Sequence, residues 1–138
     1  MNSCVGGVGM LLSPSAYNSL VGNIVVVNRR IRVANFSGKP ATTIICYYNP
    51  ANFSDDSDAL EFYNTVSEVI KKLPGHTLKV ICGNMNAQIS PLCCYGFRFT
   101  KKTNKNGQFM LNMLITCALI ICNTLFQKSN EKLWTFVG

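Results

Sequence analysis

Chemistry in this chain would have to come from six acidic residues, one histidine, seven cysteines or a short basic loop. Asp55, Asp56, Asp58 and Glu61 crowd one helix entrance, Glu68 follows on the same helix, and Glu131 lies in a connection. Carboxylates there suit the helix dipole; a magnesium site needs one or two placed at a pocket. His76 follows Pro74-Gly75 in a loop and reads as an ordinary surface residue. The cysteines (Cys4, Cys46, Cys82, Cys93, Cys94, Cys117, Cys122) contain no Cys-x-x-Cys pair. Structural zinc takes about four clustered Cys or His ligands, so no structural zinc is expected. An odd count within apolar runs suits reduced, buried thiols of an intracellular protein, nuclear or cytoplasmic. Arg98, Lys101, Lys102 and Lys105, interleaved with Phe97 and Phe99, could contact a DNA backbone. They equally fit a solvated loop anchored by its phenylalanines. Gly6-Gly7-Val8-Gly9 lacks both the spacing and the preceding strand of a phosphate-cradling loop.

These groups need elements to hold them. Residues 5–12 read as a short strand or turn. Ile24–Val27 is a β-branched run, and Arg30-Ile31-Arg32-Val33 alternates like a half-buried strand. Ser37-Gly38-Lys39-Pro40 is turn chemistry, and Thr42–Tyr48 is the strongest β run, so the two flanking segments should pair as a hairpin. Asn49-Pro50 ends that strand. A helix then starts at Ser54–Asp58, with Asp58 and Glu61 as a capping box. Leu60, Tyr63, Val66, Val69, Ile70 and Leu73 form its apolar stripe, and Pro74-Gly75 stops it. Leu78–Cys82 is apolar at nearly every position, which predicts a strand buried on both faces. It runs directly into Gly83-Asn84-Met85-Asn86-Ala87. A second helix begins at Asn106-Gly107, with Phe109, Met110, Met113, Leu114 and Cys117 along one stripe. Leu119–Cys122 follows as another buried strand, and Leu133-Trp134-Thr135-Phe136 starts a further one. Alternating strands and helices with a hairpin among them make an α/β pattern.

Composition narrows the classes. At 138 residues, 48% of them hydrophobic and 14% charged, the chain is one domain with one core and not a disordered tail. A net charge of +7 favours a polyanionic partner such as nucleic acid, an anionic membrane surface, or simple solubility. Residues 109–126 carry no charge over eighteen positions, close to the shortest membrane span of about 17–25 residues. Asn112, Thr116, Asn123 and Thr124 make that span costly, and a buried helix leading into a buried strand is the competing reading.

Three segments carry a resemblance. Thr42-Thr43-Ile44-Ile45-Cys46-Tyr47-Tyr48-Asn49-Pro50 is similar to the strand-Tyr-x-Pro segment of endonuclease/exonuclease/phosphatase (DNase I-like) domains. Gly83-Asn84-Met85-Asn86-Ala87 resembles their Gly-Asp-Phe/Met-Asn-Ala motif. Asn106-Gly107 with its helix, Cys122–Phe126 and Trp134-Thr135-Phe136 resemble the LINE-retrotransposon branch. The resemblance implies a partial four-layer α/β/β/α sandwich over residues 1–138, missing the first and last strands. It also implies descent from Mg²⁺-dependent phosphodiesterases acting on DNA. By it, Tyr48 lies at the phosphate, and Asn86 orients the phosphate or the attacking water. Asn84 stands where the family has the aspartate that handles the water's proton. An amide cannot accept that proton near pH 7, and loss of a general base removes about two to four decades of rate. The family's metal-binding glutamate would precede this chain, and its last aspartate and histidine would follow Gly138. The expectation is therefore a fragment of a nuclease domain that neither binds Mg²⁺ nor cleaves DNA. The alternatives are a nucleic-acid-binding remnant without catalysis, or a small membrane protein using residues 109–126.

Overall fold

The computed structural model describes residues 7–50, 55–90 and 102–126. The chain divides into two compact units, Met1–Asn86 and Ala87–Gly138. The elements run α1 (Pro14–Ser19), β1 (Leu20–Asn28), β2 (Ile31–Phe36), β3 (Thr42–Tyr48), α2 (Asp56–Lys72), β4 (Leu78–Asn84) and α3 (Lys105–Thr116), then a 3₁₀ turn, Cys122–Leu125. Among the described residues the fold is α/β, with a four-stranded mixed sheet and three helices, compatible with part of an α/β sandwich.

The sheet order is β1-β2-β3-β4. The expected hairpin is present: β2 pairs antiparallel with β3, Ile31 opposite Tyr47 and Phe36 opposite Thr42. β3 and β4 run parallel, which requires a crossover, and α2 supplies it. Alternation along β3 sends Thr43, Ile45 and Tyr47 into the core. On that side α2 buries Ala59, Phe62, Tyr63, Val66 and Ile70. The Tyr47 and Phe62 rings meet edge to face, with centroids 5.6 Å apart. β1 pairs with β2 through register shifts, and Gly22, with φ at +71°, allows the irregularity between Val21 and Val25.

Several expectations need correcting. β4 is not buried on both faces: Leu78, Val80 and Cys82 are exposed, and only Lys79 and Ile81 are half-buried. It is an outer strand among the described residues, so its composition reads as central while its position is not. The apolar stripe of α2 is rotated by about one position, because Ala59 and Phe62 are buried while Leu60 is half exposed. The cap is Asp55, in extended conformation, whose carboxylate accepts the Ser57 N–H at 2.6 Å. Residues 7–12 form no strand; α1 follows them, capped by Ser13 with Pro14 in its first turn. Residues 119–121 are not in a strand, and Cys122–Leu125 coils into the 3₁₀ turn. A short aliphatic run becomes a strand only when an edge pairs with it, and the described sheet contains no such pair. The thiols are not uniformly buried: Cys82 and Cys122 are exposed, Cys46 and Cys117 intermediate. Residues 133–136 lie outside the described residues.

Residues 109–126 do not form one helix. α3 ends at Thr116, Ala118 takes φ +51°, and the chain turns. Among the described residues no helix is long and apolar enough to cross a membrane.

Truncating Ile45 to alanine, at a fully buried position, should cost roughly 2–5 kcal/mol. Leu60→Ala should cost less than about 0.5 kcal/mol, since the side chain leaves little behind. Urea unfolding followed by far-UV circular dichroism measures both.

Candidate functional site

The C-terminal ends of β3 and β4 are tied together by a residue that sequence reasoning treated only as a strand terminator. Asn49 is fully buried. Its side-chain amide donates to the Tyr63 hydroxyl and to the Met85 carbonyl, each at 2.7 Å. Its backbone N–H donates to the Asn84 carbonyl at 2.9 Å. Its own carbonyl accepts from the Asn86 side-chain amide at 2.6 Å. The carbonyl of Met85 can only accept, so it fixes which end of the Asn49 amide faces it. Tyr63, on α2, is thereby joined to the strand ends.

The Gly-x-Met-Asn-Ala segment has local reasons for its residues. Gly83 sits at φ +132°, and a Cβ added there would lie 1.9 Å from the Tyr47 carbonyl oxygen. Only glycine permits that approach between neighbouring strands. Asn86 takes φ +42°, a region asparagine tolerates better than most residues. Its N–H donates to Asn84 Oδ1 at 3.1 Å, closing an Asx turn.

The sequence-derived site residues fall into two groups. Tyr48 and Asn84 are register partners at the last paired position of β3 and β4, with Asn86 two residues beyond. Tyr48 is half-buried, Asn84 exposed and Asn86 half-buried. Lys102 and Lys105 are exposed, the latter opening α3 in the other unit, while Arg98 and Lys101 lie outside the described residues. α3 itself starts at an asparagine cap that the sequence reading passed over. Asn104 Oδ1 accepts from the N–H groups of Gly107 and Gln88, at 2.8 and 2.9 Å. Gly107 has no room for a side chain, since a Cβ would lie 2.1 Å from the Gln88 carbonyl oxygen.

The cations that accompany Tyr48 were also missed. The β1–β2 turn brings Arg30 to the end of the sheet, where its guanidinium lies 5.5 Å from the Tyr48 ring centroid. The Tyr48 N–H donates to the Arg30 carbonyl at 3.0 Å. Asn28 shapes the turn: its Oδ1 accepts the Arg30 N–H at 2.8 Å, and its carbonyl accepts from the Arg32 guanidinium. Arg29, next in the turn, is exposed. The available signal was the Asn28-Arg29-Arg30 turn between two β-branched runs.

Beneath this surface the polar groups are neutral. Burial pushes the Tyr47 hydroxyl well above its ordinary titration range, reinforced by neighbouring Tyr63. Burial does the same to Tyr63, against the opposing effect of its hydrogen bond with Asn49. Tyr47 Oη and Asn49 Oδ1 are enclosed without a hydrogen-bond partner. Asp55, Asp56, Asp58, Glu61 and Glu68 are all exposed on α2 or its cap, and Glu131 lies outside the described residues. Among the described residues no group of three or more His, Cys, Asp or Glu side chains converges on one point. Tyr48, Asn84, Asn86 and Arg30 provide donors and one fixed positive charge. Mg²⁺ prefers carboxylate oxygens, so this set does not fit the ion.

Comparison with known proteins adds one similarity. The chain is similar to craniofacial development protein 2. It is 27% identical to the Bos taurus protein over 136 residues, covering 96% of this chain and 23% of that protein. The Tragulus javanicus protein is 25% identical over 136 residues, with 96% and 24% covered. The chain thus spans about a quarter of the length of these relatives. No protein-family model matches it.

Replacing Asn49 by alanine leaves the Tyr63 hydroxyl and the Met85 carbonyl without this donor and should cost about 2–3 kcal/mol. Asn49→Asp should cost at least as much at neutral pH, because a carboxylate would face the Met85 carbonyl. Gly83→Ala should exceed about 4 kcal/mol, in the range reserved for severe backbone conflict. Equilibrium denaturation of the three variants tests this order.

Proposed function

We propose that the chain is part of a LINE-type endonuclease/exonuclease/phosphatase domain that retains a phosphate-binding surface and has lost hydrolysis. The reading draws on the resemblance of the Tyr-x-Pro and Gly-x-Met-Asn-Ala segments and on the similarity to craniofacial development protein 2 over 96% of this chain and 23% of that protein. The observation that carries it is the set of groups at the ends of β3 and β4. Tyr48 and Asn84 stand side by side, Arg30 lies against Tyr48, and each side chain is neutral or cationic.

Such a surface can bind a phosphodiester. Arginine, always charged, presents a planar fork that matches phosphate oxygens. Asparagine amides and a tyrosine hydroxyl add neutral donors. It cannot supply the proton acceptor that activates water. Asn84 Oδ1 is an amide oxygen already engaged by the Asn86 N–H. In the family Mg²⁺ neutralises charge on the phosphate during cleavage; here the donors offer it no carboxylate. The net charge of +7 suits a nucleic-acid partner, with DNA expected from the family. Lys102 and Lys105 are further candidates for backbone contact, as are Arg98 and Lys101.

Two measurements on the purified chain test the proposal. In a plasmid-nicking assay with Mg²⁺, product should not rise above an EDTA control; nicking that EDTA abolishes would refute the loss of hydrolysis. In a salt series, DNA affinity should fall linearly on logarithmic axes. Arg30→Ala should lower that slope by about one, and Asn84→Asp should weaken binding by placing a carboxylate beside the phosphate. Affinity independent of salt would remove the phosphate-binding half of the proposal.

A further inference from the structure

Outside the site, one pair of reactive groups is brought together by the fold alone. Cys46 on β3 and Cys82 on β4 are register partners in the parallel pair. In sequence they are 36 residues apart, and only the crossover through α2 makes them neighbours. Register partners on adjacent strands project from the same face. Here that is the face opposite Thr43, Ile45 and Tyr47. Adjacent strands lie about 4.7–4.9 Å apart, inside the Cα separation of about 4.4–6.8 Å that a disulfide accepts. Both cysteines are free, and the Cys46 thiol donates to the Gly9 carbonyl at 4.0 Å. Burial, and then the neighbouring Cys82, push the Cys46 thiol up. Cys82 is exposed and open to a small oxidant.

We propose that Cys46 and Cys82 are a redox pair that a hydroperoxide closes into a disulfide between β3 and β4. The Cys82 thiolate attacks a peroxide oxygen, the O–O bond breaks, and the departing hydroxide takes up a proton as water. Cys82 is then a sulfenic acid. The Cys46 sulfur attacks the Cys82 sulfur, the S–O bond breaks, and hydroxide leaves with the Cys46 proton as a second water. Two thiols are oxidised and one hydrogen peroxide is reduced. The bridge would lie two residues before both Tyr48 and Asn84, fixing the spacing of the strands that carry them. β4 has a single sheet neighbour among the described residues, so the crosslink would pin a strand held on one side.

The experiment treats the full chain with hydrogen peroxide, blocks remaining thiols with N-ethylmaleimide and maps peptides without reduction. The Cys46–Cys82 crosslink should be the predominant disulfide and should disappear on reduction. Cys46→Ser should abolish it and leave a dimedone-reactive sulfenic acid on Cys82, while Cys82→Ser should leave Cys46 open to alkylation. Both cysteines remaining alkylatable after peroxide would overturn the proposal, as would Cys82 pairing mainly with another cysteine. The unaltered chain decides between these outcomes even where a serine variant does not fold.

Discussion

The buried amide of Asn49 is the interaction on which the rest of the first unit depends. Through its side chain and its own peptide groups it joins the end of β3, the turn after β4 and, by Tyr63, helix α2. Hydrogen bonds of this kind contribute about 1 kcal/mol each, whereas a buried partner left unsatisfied costs more. A strand end cannot close without placing its last polar groups somewhere. Here they are placed on one another, and the geometry of the surface above follows.

That closure has a chemical consequence. Asn86 is bent into a positive-φ turn by its bond to Asn84 and held by Asn49, so both asparagines are structural parts of the turn they decorate. The turn's own side chains are neutral, and Arg30 brings positive charge across the Tyr48 ring. A carboxylate at residue 84 would face the same N–H of Asn86 and would bring negative charge to a surface otherwise suited to an anion. In the proposed function, binding and hydrolysis make opposing demands on residue 84, and the amide would serve the first.

Much of the sheet was legible in the sequence. β-branched density marked β3, the Ser37–Pro40 turn fixed its pairing with β2, and Asn49-Pro50 and Pro74-Gly75 bounded the crossover helix. The errors share one cause: composition reports what a residue is, not how many neighbours its strand or helix acquires. β4 reads as central because Leu78, Val80 and Ile81 are apolar, yet it pairs on one side only among the described residues. Leu60 reads as core by type, although the buried face of α2 is set by the edge-to-face contact of Phe62 with Tyr47. Tyr48, Asn84 and Asn86 were named as candidates through motif resemblance, and the fold puts Tyr48 and Asn84 in register. Asn49 and Arg30 were not, because their roles exist only once distant strands are in register.

The proposed phosphate surface would work without a divalent ion. Nuclear magnetic resonance tests this through the side-chain signals of Asn84, Asn86 and Arg30 during titration with a short DNA duplex. DNA should move these signals to the same extent in EDTA as in Mg²⁺, and Mg²⁺ alone should leave them in place. Saturable shifts of Asn84 and Asn86 with Mg²⁺ alone, or DNA shifts that appear only when Mg²⁺ is present, would contradict it.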